Sequence, residues 1–388
     1  MKVRIVTLGC KLNFAESSAL MNELVSRGHE RAKQGEQADL VIVNTCTVTD
    51  TADQKDRQAI HRVRRENPDA RLIVTGCYAR LKPKEIADMV EVDRVVTKRE
   101  DVFQQAVSRD DRTRCFLKVQ DGCNYFCTYC AIPYARGRSR NPSIASVCEQ
   151  AVQALQGGAK EIVLTGVNIG DFGRSTGERF IDLVHALDTL PFDQPYRLRI
   201  GSVEPNLLSD EIIDLVARSQ HVAPHFHIPL QSGSDTVLKI MHRHYDTALF
   251  RERVEHIRRV LPDAFIGVDC MVGVRGETTA CWDEYVHYVE SLPVSQLHVF
   301  TYSERAGTRM LEMDLPVVPM SERHRRSRVM RAISEEKLQR FYAEHLPHPA
   351  TVLWEGKNDH GKMYGFTENY IRLSREYDKR LVNTFSVQ

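Results

Sequence analysis

The chain has 388 residues, 42% of them hydrophobic, and a formal net charge of +1. That length suits two or three globular domains, and the near-neutral balance excludes the global positive field of a protein that coats nucleic acid. No apolar run approaches the roughly 18–20 residues of a membrane span and the amino terminus lacks a signal-peptide pattern, so a cytoplasmic, reducing location is expected.

Residues 1–100 alternate strand and helix. Strand VRIVTLG leads to a helix from about Asn13 to Gly28, and strand LVIVNT (40–45) to a helix around 50–66. Strand RLIVTG (71–76) leads to a helix after Pro83, and VDRVVT (92–97) closes the series. Such alternation predicts an open parallel sheet with helices on both faces, whose ligands sit beyond the carboxyl ends of the strands. Three of the strands deliver one cysteine each to that edge: Cys10, Cys46 and Cys77.

The polar stretch 99–114 reads as a linker, and alternation then resumes. Strands are expected at 115–120, 161–166, 197–202, 225–230, 264–273 and 296–302, with helices at about 143–157, 178–190, 209–219, 234–241, 246–260 and 278–291. Six β/α units are too few for an eight-stranded barrel and fit a partial one. A long charged helix at about 320–345 leads to a β-rich tail. The domains expected are therefore 1–105, 112–345 and 346–388. Basic stretches at 57–67 and 322–331 read as solvated helix faces.

Ten cysteines in a reducing compartment read as metal ligands or buried apolar residues. The strongest local signal is DGCNYFCTYC (121–130), with Cys123, Cys127 and Cys130 spaced by three and two residues. A zinc knuckle would bring a second Cys or His pair, and none lies nearby. Three close thiolates suit three corners of a [4Fe–4S] cluster whose fourth iron is open to a ligand. Cys115, Cys148, Cys270 and Cys281 fall within strands or helices and read as ordinary buried residues. His225 and His227 read as core or strand-face residues.

CNYFCTYC at the end of a first barrel strand resembles the radical S-adenosylmethionine (SAM) superfamily. The resemblance implies that the open iron chelates SAM and that Tyr129 lies against the adenine. It also implies SAM contacts at Thr165, Gly166 and Asn168 in TGVNIG, at Ser202 and Glu204 in GSVEP, and at Gln231 in PLQSGS. With an α/β domain carrying three strand-end cysteines, the whole chain resembles the methylthiotransferases. In that family Cys10, Cys46 and Cys77 would hold a second [4Fe–4S] cluster, which supplies or carries sulfur for an unreactive C–H bond.

LGCKLN (8–13) and the loop at 120–140 resemble the branch acting on N6-threonylcarbamoyladenosine beside the tRNA anticodon. The branches for isopentenyladenosine and for a ribosomal-protein aspartate are the alternatives. A non-catalytic iron–sulfur RNA-binding redox sensor is a rival of another class, disfavoured by the polar groups Asn168, Glu204 and Gln231 at strand ends. The tail GFTENYIRL resembles a TRAM domain, though it is shorter than a complete one. Lys362, Tyr364, Tyr370 and Arg372 there, with Arg136, Arg138 and Arg140 at the active-site mouth, are the expected RNA contacts. An electron donor such as flavodoxin or ferredoxin, a sulfur source and the tRNA anticodon stem-loop are the implied partners, without a membrane.

Overall fold

The computed structural model describes residues 1–33, 35–97, 106–108 and 113–388. The amino-terminal Val- and Ile-rich runs form β1 (Lys2–Thr7), β2 (Glu30–Arg31), β3 (Leu40–Thr45), β4 (Arg71–Gly76) and β5 (Arg94–Val95). All run parallel in the order β2-β1-β3-β4-β5, so the direction of winding reverses at β1. Strands 40–45 and 71–76 and helix Asp50–Glu66 have the expected bounds. The edge strand β2, two residues long, carries no periodicity that could announce it. After β4 a helix begins at Cys77 itself (Cys77–Leu81), and a second begins at Pro83 (Pro83–Ala87). Pro83 disfavours helical geometry at Lys82, which sits at φ −131° and ψ 58° and separates the two.

The central region contains β6 (Arg114–Lys118), β7 (Glu161–Thr165) and β8 (Arg197–Arg199) in one parallel sheet. β9 (His225–Gln231), β10 (Phe265–Val272) and β11 (Gln296–Thr301) form another. Parallel bridges Leu198–Val222 and Ser202–His227 join the two into the expected open six-stranded barrel. Outer helices bury Val147, Leu183, Ile213, Val254 and Tyr285 against the strands; each such side chain contributes roughly 1.5–3 kcal/mol. Of the expected linker, residues 99–105 and 109–112 lie outside the described residues. Val107 pairs with Leu117, and Arg114 already opens β6, so the carboxyl end of that stretch belongs to the barrel.

The tail forms β12 (Thr351–Trp354), β13 (Lys362–Phe366), β14 (Arg372–Glu376) and β15 (Phe385–Val387), antiparallel in the order β14-β13-β12-β15. It docks on the amino ends of the barrel strands, opposite the cysteine loop. Arg197 donates to the carbonyls of Thr351 (2.8 Å) and Phe366 (3.2 Å), and Arg199 to that of Glu368 (3.2 Å). Buried Glu161 holds both guanidiniums, at 3.4 and 3.0 Å. Phe265, Phe341 and Ile371 seal the joint, with Tyr370 against them.

The amino-terminal sheet joins the barrel through helix Lys11–Ser26, whose Phe14 meets Phe116 edge-on at 5.8 Å. Glu16 reaches Lys118 at 2.9 Å across the same contact. Among the described residues no helix is long and apolar enough to cross a membrane.

Candidate active site

The register of the first sheet explains how residues far apart in sequence meet. Thr7 aligns with Asn44 and Asn44 with Thr75, so β1, β3 and β4 end level, and Cys10, Cys46 and Cys77 follow two or three residues later. Asn13 ties these ends together. Its amide donates to the carbonyls of Leu8 (3.0 Å) and Thr45 (2.9 Å), and its oxygen accepts from Arg136 at 2.5 Å. Gly9, at φ 97°, leaves room for Cys46, since a Cβ there would lie 2.6 Å from that of Cys46. The Cys46 amide is held by Asp56 at 2.9 Å. Burial pushes the Cys46 thiol up to about 12, with Cys10 and Cys77 close enough to add to the rise. Burial likewise raises Asp56, to about 8.

The second triad lies on the loop after β6. Burial pushes Cys123 up to about 11 and Cys130 to about 12, and each thiol feels its neighbours in the triad. Cys127 is raised by burial and drawn back by Arg243, whose guanidinium donates to its sulfur at 3.1 Å. Arg243 also pairs with Glu204 and donates to the Tyr245 hydroxyl at 3.1 Å. It belongs to MHRHY (241–245), a segment that the resemblance to radical SAM proteins implies lines the SAM cavity, with no role for Arg243 itself. Tyr125 stacks on His244 at 4.2 Å.

Gln120, the first residue of the loop at 120–140, is a further site residue, to which the sequence assigned no role. Its amide donates to the carbonyls of Asp121 (3.0 Å) and Gly122 (2.7 Å) and to the Ser139 hydroxyl (3.0 Å). Its oxygen accepts from the amides of Val167 (3.0 Å) and Asn168 (2.8 Å), locking the loop after β7 to the cysteine loop. A Cβ at Gly166 would fall 2.9 Å from that oxygen, so the glycine is needed for the approach.

All ten cysteines are free thiols. Among the described residues no three His, Cys, Asp or Glu side chains converge as the ligands of a single metal ion do. A cube of four irons holds each thiolate on a different iron, so its cysteines stand further apart than those around one ion. The donor set, two triads of soft sulfur ligands without carboxylate or imidazole, fits iron–sulfur clusters. Arg243 beside Cys127 supplies the charge that favours a thiolate.

The expected SAM contacts divide into three groups. Gln231 Oε1 and both side-chain polar atoms of Asn168 are buried without a hydrogen-bond partner, as residues awaiting a polar ligand would be. Gln231 also holds φ at 63° where β9 ends, a strained conformation for a residue with a side chain. Tyr129 lines a cavity of about 220 Å³ with Cys130, Gln231, Asp269 and Met271, and Thr47–Thr49, which follow Cys46, form its other wall. Ser202 pairs with His227 as a strand bridge, and one Glu204 oxygen is taken by Arg243. Thr165 is committed to the barrel: its hydroxyl donates to Leu117 O at 3.1 Å and its carbonyl accepts from Val119.

The expected RNA contacts need correction. Arg136 is 3% exposed and bonds Asn13, Glu16 and Asp121, so it welds the barrel loop to the first sheet and is closed to phosphate. Arg140 is partly buried on Asp121 at 3.3 Å. Arg138 is exposed and lies 4.9 Å over Phe126, which meets the exposed Tyr134 edge-on. Tyr370 packs between His225, Phe265 and Phe366 at the barrel floor and so cannot stack on a base. Lys362 and Arg372 are exposed, with Arg372 lying 3.9 Å over Tyr364. His225 is buried and stacked on Phe265, and His227 bonds Asp269 at 2.8 Å, as strand-face residues should.

Residues 2–97 match the Uncharacterized protein family UPF0004, and residues 117–289 match the Radical SAM superfamily. The threonylcarbamoyladenosine tRNA methylthiotransferase MtaB of Bacillus subtilis (strain 168) is 37% identical over 95% of this chain and 88% of its own length. Its namesake in Aquifex aeolicus (strain VF5) is 33% identical over 97% of each. Among solved structures, the radical S-adenosylmethionine methyltransferase TsrM from Kitasatospora setae shares the fold, with a TM-score of 0.54 at 16% identity over 77% of this chain and 74% of that one. With a cavity lined by Cys130 of one triad and by the residues that follow Cys46 of the other, and with relatives of this identity over nearly their whole length, the chain belongs to the threonylcarbamoyladenosine tRNA methylthiotransferase (MtaB) family.

Proposed function

We propose that this chain inserts sulfur at C2 of N6-threonylcarbamoyladenosine beside the tRNA anticodon and methylates it. The observation that carries this reading is the shared cavity, walled by the residues after Cys46 on one side and by Tyr129 and Cys130 on the other. Cys123, Cys127 and Cys130 would hold one [4Fe–4S] cluster, and Cys10, Cys46 and Cys77 the other. When bound, these groups supply reductive cleavage of SAM and the sulfur to be transferred. The chain's own residues orient and exclude water. Asn168 and Gln231 offer unpartnered polar atoms for SAM, and Gln120 holds the loop that carries Asn168. Arg136 fixes the two triads relative to each other, since it follows the cysteine loop and lies near both Cys77 and Cys10.

Arg138, Phe126 and Tyr134 form the exposed cationic and aromatic patch beside the loop, suited to phosphate and to an unstacked base. Lys362, Tyr364 and Arg372 are a second, distant basic surface on the tail. Flavodoxin or ferredoxin as electron donor, a separate sulfur source and a cytoplasmic location complete the reading.

Nucleosides from bulk tRNA test it, in cells lacking their own methylthiotransferases, with and without this chain. Appearance of 2-methylthio-N6-threonylcarbamoyladenosine is the expected result. The isopentenyl analogue alone would move the chain to the sister activity. Loss of SAM cleavage in C123A/C127A/C130A, with retention in C10A/C46A/C77A, would assign the two triads separately.

A further inference from the structure

One cation facing the barrel makes no ion pair among the described residues. Lys11 follows Cys10 and opens helix Lys11–Ser26, one turn ahead of Phe14 and Ala15, which pack on the inner barrel residues Phe116 and Val163. Side chains three and four apart share a helix face, so Lys11 points into the barrel with them. Its charge faces Tyr370, Arg114, Arg199 and Glu161 from the floor, and His225 and His298 from the wall. The other cations there are committed. Arg199 and Arg197 share Glu161 at 3.0 and 3.4 Å, and Arg114 bonds Glu355 at 2.9 Å. Among the described residues Lys11 makes no hydrogen bond or ion pair, although its side chain remains accessible.

A polar wall leads from the cavity to this lysine. Asp269 lines the cavity and bonds His227 at 2.8 Å, and His227 meets His298 ring to ring at 5.0 Å. His298 in turn feels Lys11. An ammonium left unpaired in an accessible, cation-rich space is suited to a ligand that brings its own negative charge. Of the groups in the proposed substrate, the threonyl carboxylate on the N6 arm is the one that answers this. A dimethylallyl arm carries neither charge nor hydrogen-bonding group.

We infer that Lys11 is the specificity residue that binds the carboxylate of the threonylcarbamoyl arm. The inference rests on the function proposed above.

The test uses the reconstituted full chain and three anticodon stem-loop RNAs. One carries N6-threonylcarbamoyladenosine, one its neutral carboxamide analogue, and one dimethylallyladenosine. Binding is measured by anisotropy, and methylthiolation of each RNA is measured in parallel. Wild type should favour the carboxylate RNA over the carboxamide by about 10- to 100-fold, the range of a charge-assisted bond. Lys11→Met should lose that preference while binding the carboxamide within about twofold of wild type, and Lys11→Arg should keep it. Absence of the preference in wild type would overturn the inference whatever the variants do. Equal loss of affinity for both RNAs in Lys11→Met would also overturn it, because the lysine would then be structural. If wild type methylthiolates only the dimethylallyl RNA, the proposed function fails and takes this inference with it. Methylthiolation of the threonylcarbamoyl RNA with an unchanged preference in Lys11→Met overturns the lysine assignment alone.

Discussion

Replacing Gln120 by leucine removes five hydrogen bonds from a fully buried side chain at nearly constant volume. Asp121 O keeps a partner, the Arg140 amide at 2.9 Å. The amides of Val167 and Asn168 and the carbonyl of Gly122 lose the Gln120 partner. Each buried orphan costs about 1–3 kcal/mol, and relaxation or entering water recovers part of the sum. A local loss of about 3–5 kcal/mol follows, or roughly a hundredfold or more in the opening of the loop after β7. Hydrogen exchange reads this directly. A peptide covering residues 165–170 should exchange roughly a hundredfold faster in Gln120→Leu, while one covering β3 in the first sheet should not change. SAM affinity should fall with it, because Asn168 rides on the loosened loop. Exchange of 165–170 within about threefold of wild type would refute the claim that Gln120 holds these two loops together.

Gly9→Ala should cost the second cluster, because its Cβ meets Cys46 at 2.6 Å at a positive φ. Gly28→Ala shares a positive φ but meets nothing within 4 Å, so it should show only the backbone strain, about 1 kcal/mol. Iron content per chain separates the two. Burial raises the Glu161 carboxyl, but Arg199, Arg197 and Arg114 overcome it and hold the group below the usual range. Its contribution is therefore complete above the unfolded value of about 4.3 and is lost as pH falls through the lower folded value. Protease resistance of the tail should be flat near neutrality and drop in acid. Glu161→Gln should weaken docking by about 3–5 kcal/mol at neutral pH and abolish that acid step. Arg138→Gln should weaken tRNA binding and lower the salt slope by about one unit, measured by titrating salt against affinity.

Much of this molecule was legible in its chain order. Alternation of apolar strands with amphipathic helices placed β3, β4 and the helices Asp50–Glu66 and Met320–His345 at their observed bounds, because period and run length are local properties. The same alternation put Cys10, Cys46 and Cys77 at one sheet edge, since parallel strands share a direction. Composition could not say which arginines face water. Arg136 and Arg138 stand two residues apart in ARGRSR, yet one welds two domains and the other is exposed, a choice made by Asn13, Glu16 and Asp121 arriving from elsewhere. Tyr370 looked like a stacking aromatic and is a floor plug, because the tail docks at the amino ends of the strands. Gln120, Arg243 and Lys11 stand in stretches that the sequence singles out, the loop at 120–140, MHRHY and LGCKLN, but nothing in those stretches assigns them a role. Their roles depend on partners brought together across the fold, Asn168 by Gln120, Cys127 by Arg243 and the barrel interior by Lys11, and only long-range packing decides such pairings.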